Sequence, residues 1–91
     1  MQQKNKKTEY LSKKAGKLIK NLRKNFTGDS VNKFAFENDI DKGNLSRLEN
    51  GLNDPKLSTL WKISEGFKIP LSDVIKKLEQ ELPKDWHINE K

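Results

Sequence analysis

Cysteine is absent from the 91 residues. That removes disulfides, thiolate nucleophiles and Cys-ligated metal sites from consideration. The single histidine, His87, cannot build a zinc site alone, and no HExxH motif occurs. No apolar run approaches the length of a membrane-spanning helix or of a signal-peptide core. There is no glycine-rich phosphate loop, no His placed beside a nucleophile and no paired-carboxylate pattern above chance. Enzymatic activity is therefore not expected, nor is a metal or another cofactor. The expected setting is the cytoplasm, away from membranes.

What is present is charge. Charged residues make up 35% of the chain and apolar residues 32%. The length suits one small domain. Nineteen Lys and Arg stand against thirteen Asp and Glu, a net of +6, which favours polyanionic partners. The excess is at the front. Residues 1–24 hold nine basic residues and one acid, whereas residues 25–54 hold three basic and six acidic.

Residues 2–9 contain no apolar side chain, and the segment 1–10 reads as a flexible basic arm with Lys4, Lys6 and Lys7. From Leu11 the pattern is helical. Leu11, Ala15, Leu18, Ile19 and Leu22 form one stripe, and Lys13, Lys14, Lys17, Lys20, Arg23 and Lys24 lie off it. Thr27-Gly28-Asp29 is a turn signal. Ser30 suits an N-cap, followed by a short helix with Val31, Phe34 and Ala35 inward. That helix breaks near Asn38-Asp39. Asp41 is the next cap, opening a helix with Leu45 and Leu48 inward and a left-handed end at Asn50-Gly51. A fourth helix shows Leu57, Leu60, Trp61, Ser64 and Phe67. Its aromatics, Trp61 and Phe67, are expected in the core. After Pro70 a fifth helix carries Leu71, Val74, Ile75, Leu78 and Leu82, and Pro83 closes it. The expectation is an all-α, five-helix domain over residues 11–82 with a polar tail at 83–91. Trp86 and His87 in that tail receive no role.

Residues 30–49 hold two helices too short to stand alone, joined by a tight turn. This is the pattern of a helix-turn-helix. Ala35 supplies the small residue where the helices cross. Ile40, Leu45 and Leu48 seat the second helix, and Asp39 occupies the turn position that tolerates positive φ.

With Leu22-Arg23, Ser30, Phe34-Ala35, Ile40-Asp41-Lys42, Leu45-Ser46-Arg47-Leu48-Glu49-Asn50-Gly51, Pro55 and Leu60 in this order, the chain resembles the lambda-repressor/Cro-like (XRE-type) helix-turn-helix family over about residues 12 to 78. The Ser46–Gly51 stretch followed by Pro55 is the most specific part. The resemblance implies a lambda-repressor-like DNA-binding domain whose third helix enters the major groove of double-stranded DNA. It further implies a sequence-specific transcriptional regulator of prokaryotic or phage repressor type.

Carried over by position, the resemblance places base contacts at Lys42, Gly43, Asn44, Ser46 and Arg47. Arg47 can offer a two-pronged fork to guanine, and Lys42 a point charge. Phosphate contacts fall to Ser30, Asn50, Arg23, Lys20 and Lys17. Glu49 is expected in a structural ion pair with Arg23 or Lys24. The helix 1 lysines are equally readable as a solvated face that only steers association.

Two further expectations concern partners. The fifth helix is long for so small a core, so Leu78 and Leu82 are candidates for a homodimer contact, with a monomer the competing state. The same fold also serves as a protein-interaction module, as in antitoxins and phage accessory proteins. The acidic middle block and Val31, where the family usually has a phosphate-gripping Gln, keep that alternative open.

Overall fold

The computed structural model describes residues 6–89 and holds five α-helices, with no strand among the described residues. They are α1 (Lys6–Phe26), α2 (Val31–Glu37), α3 (Lys42–Glu49), α4 (Leu57–Phe67) and α5 (Leu71–Glu81). α1 is the backbone of the arrangement. It packs against α3, α4 and α5, while α2 leans on α3 and α4 on α5.

The core is built from the expected stripes. Leu18, Ile19 and Leu22 of α1 meet Phe34 and Ala35 of α2, Leu45 and Leu48 of α3, Ile63 and Phe67 of α4, and Val74 of α5. Burying each of the larger side chains contributes about 1.5–3 kcal/mol. Phe67 is the aromatic hub, with ring centroids 5.2 Å from Phe34 and 6.0 Å from Phe26.

Three helices differ from the sequence expectation. α1 begins at Lys6, so residues 6–10 of the expected arm are helical. Nothing in that stretch breaks a helix, Glu9 favours the positive N-terminal end, and Tyr10 has packing to do. Its ring lies 6.2 Å from that of Trp86, with the Lys14 ammonium 5.6 Å above it. The tail that carries Trp86 is thereby folded back on α1. Residues 1–5 of the arm and 90–91 of the tail lie outside the described residues.

In α4 the inward stripe is Leu60, Ile63, Ser64 and Phe67, the i, i+3, i+4, i+7 set of one helix face. Trp61 is not in the core: it is 55% exposed, and Leu57 is exposed as well. Trp61 sits a third of a turn off the stripe that Ile63 completes. In α5, Val74 is buried and Leu71 and Leu78 pack partly against the core, whereas Ile75 faces outward.

Candidate nucleic-acid interface

Each short helix of the pair is capped by its own side chain. The Ser30 hydroxyl accepts the Lys33 amide N–H at 3.1 Å. The Asp41 carboxylate accepts that of Asn44 at 2.8 Å. Such caps are worth about 1 kcal/mol each, which matters for helices of 7 and 8 residues. Asp39 carries the turn with φ 56°. The Ile40 N–H closes it onto the Ala35 carbonyl at 2.9 Å. The Lys62 ammonium donates to the Asp39 carbonyl at 2.8 Å and ties the turn to α4.

α3 divides into two faces. Leu45, Leu48 and Glu49 are buried. Lys42, Ser46, Arg47 and Asn50 are exposed on the other side, the expected placement for groups that meet a ligand. Gly43 lies among them, and Arg47 leans back over it. A methyl group added at Gly43 would sit 3.2 Å from an Arg47 Nη. Asn44 is set to the side. It is half-buried, and its carbonyl oxygen accepts from the Asn53 amide at 3.1 Å.

α1 holds α3 in place at two points. Gly16 lies directly against α3, where a Cβ would collide with the Leu48 and Glu49 carbonyl oxygens. About two turns further on, Arg23 meets Glu49 through Nε to Oε2 and Nη2 to Oε1, both 2.8 Å. A third donor, Nη1, reaches the Asp29 carbonyl at 2.6 Å. The hydrogen bonds to Glu49 hold the Arg23 pKa above its ordinary value, outweighing the opposite effect of burial.

Arg23 is the structural partner of Glu49. It is only 5% exposed, and each of its guanidinium nitrogens already donates a bond within the protein, which is a poor placement for the expected phosphate contact. Lys17 and Lys20 are exposed on α1. Gly16 escaped the sequence reading, although an isolated glycine inside a helical stripe is a known cue for close packing. Gly51 is required twice over: its φ is +75°, and a Cβ there would strike Lys13 of α1.

A helical domain that presents a capped short helix, packed on one side and lined with Lys, Ser and Arg on the other, is of the DNA-binding class. The chain belongs to the helix-turn-helix family of lambda-repressor/Cro type, whose profile matches residues 19–74. Over 66 residues it is 39% identical to the control protein C.MunI of a Mycoplasma species, spanning 72% of this chain and 89% of that protein. Among solved structures, the clp gene regulator ClgR from C. glutamicum shares the fold with a TM-score of 0.71 at 19% identity, covering 80% of this chain and 94% of that one. A transcriptional regulator of the same family from Vibrio cholerae matches with a TM-score of 0.71 and 28% identity, covering 86% of this chain and 43% of that one. The protein is a DNA-binding transcriptional regulator.

Proposed function

We propose that this regulator is a sequence-specific repressor of prokaryotic or phage type, acting in the cytoplasm, that lays α3 in the major groove of double-stranded DNA. The observation that carries the reading is the two-faced character of α3. Its leucines and Glu49 are buried, and Lys42, Ser46 and Arg47 are left facing outward. In this reading Arg47 and Lys42 donate to guanine acceptors, Ser46 to either base type, and Gly43 lets the backbone come close. Asn44 keeps its amide donors for an edge contact beside the loop. Asn50, Lys17, Lys20 and the Ser30 hydroxyl, which still has a proton to donate, meet phosphates.

The reading includes a homodimer through α5. Leu78 and Leu82 are only half-buried. The outer edge of the same region is apolar, because Trp61 and Ile75 line one open groove between α4 and α5. A recess of about 230 Å³ lined by Leu11, Leu60, Ile75 and Leu78 lies next to it. A second copy seated there would set two reading helices about 34 Å apart on a two-fold site.

Selection of bound duplexes from a random DNA pool at moderate salt tests both parts. Enrichment of a two-fold site is the expected result. Recovery of no preferred sequence, together with a tightly co-purifying protein, would replace this reading with the interaction-module one.

A further inference from the structure

The helix-turn-helix segment carries little net positive charge of its own, since Glu49 is neutralised by Arg23 and Asp39 is paired with Lys62. Residues 29–49 carry Lys33, Lys42 and Arg47 against Asp29, Glu37, Asp39, Asp41 and Glu49. The excess positive charge is on α1, which has eight basic residues and one acid, Glu9.

Five of those basic residues form a line. At about 100° per residue, Lys6, Lys13, Lys17, Lys20 and Lys24 fall within about 40° of a common azimuth, opposite the core face. All five are exposed. None has an acidic partner among the described residues. The line runs about 27 Å at 1.5 Å per residue.

α3 does not share its direction. Gly16, which touches Leu48 and Glu49, is about 70° round α1 from the lysines. The lysine line therefore looks sideways from the reading helix, past the end of α3 where Lys13 abuts Gly51.

We propose that the lysine line of α1 is a second DNA-binding surface, which holds the duplex flanking the half-site read by α3, the duplex bending toward α1 to reach it. The inference rests on the base-reading role proposed for α3. Charge complementarity selects the occupant. Duplex DNA carries one negative charge per about 1.7 Å of axis, so a line of about 27 Å spans on the order of 15 charges. Ammonium groups on flexible stems match such a rod without reading any base. Sequence choice and electrostatic grip are then carried by different helices, and the acids of the helix-turn-helix segment do not prevent tight binding.

The test uses the full chain and the selected duplex with short or long flanks, together with circularly permuted probes that report bending. The wild type is expected to bind the long-flanked duplex at least about tenfold more tightly and to bend it, with steep salt dependence. Replacing Lys13, Lys17, Lys20 and Lys24 together by Gln should abolish the flank effect and the bend. It should also lower the slope of log K against log salt by about 3–4, while the ranking of base preferences stays the same. If that variant melts early, the pair Lys17→Gln and Lys24→Gln reads the same effect at about half the size by the same per-phosphate scaling.

An unbent wild-type complex, or a variant that keeps the wild-type ratio between long and short duplexes, would overturn the proposal. So would capture of a second, separate duplex by the wild type without any flank effect. Wild-type protein that prefers no sequence yet still gains affinity with flank length would leave this surface standing and remove the base-reading role of α3.

Discussion

Arg23 on α1 and Glu49 on α3 face each other through two parallel 2.8 Å hydrogen bonds, both side chains almost wholly buried. The pair fixes where α3 sits, because each charge would be costly without the other. Arg23→Met should lower stability by about 3–5 kcal/mol by leaving the Glu49 carboxylate buried and unpaired. Adding Glu49→Leu should recover most of the loss. Urea denaturation of the single and double variants checks both. The raised Arg23 pKa sets the sign of the pH effect. Its contribution is complete below the ordinary arginine range and fades only as pH rises through the higher folded value. Alkaline buffers short of that range should leave this part of the stability unchanged.

Gly16→Ala should destabilise, although alanine is the better helix former by about 1 kcal/mol. The added methyl meets backbone carbonyls of α3, which cannot swing aside as a side chain would. A net loss of about 1–3 kcal/mol is expected from overpacking. DNA affinity should fall with it, because α3 is displaced. Thermal melting and a duplex titration on the same variant would show the two effects together. An unchanged melting temperature would contradict the close approach.

Arg47→Ala should leave the melting temperature unchanged, since the side chain is exposed. It should relax preference at one base pair by about 1–3 kcal/mol. A competition series with single-base changes in the selected site measures this. Equal weakening toward every sequence would move Arg47 from base to phosphate contact.

Trp61→Ser combined with Ile75→Ser should shift the protein toward monomer in sedimentation experiments and change the stability of each subunit little. Neither side chain belongs to the core cluster, and the partly covered Ile75, 38% exposed, accounts for whatever small loss of subunit stability follows.

Much of this was legible in the sequence because it is local. Ser30 and Asp41 announce caps by residue type, Asp39 and Gly51 announce backbone twist, and the family pattern narrows the partner of Glu49 to Arg23 or Lys24. What was hidden depends on three-dimensional approach. Whether α4 turns Trp61 or Ile63 inward is a question of which of two overlapping apolar stripes the core selects. That Gly16 and Gly51 admit α3 and α1 to close contact is a property of two distant segments. The burial of Arg23 has the same origin, since only the fold shows each of its three guanidinium nitrogens already bonded. Lys6 to Tyr10 looked like an arm because the residue that Tyr10 packs against, Trp86, is at the other end of the chain.

The separation of α3 into a packed side and a free side also sets how this protein can change over time. Substitutions at Lys42, Ser46 or Arg47 touch no core neighbour, so a new target site lies a few point changes away and costs little folding stability. Leu45, Leu48 and Glu49 have no such latitude. Descendants of this chain should therefore diverge first in which promoters they address and last in how they are built.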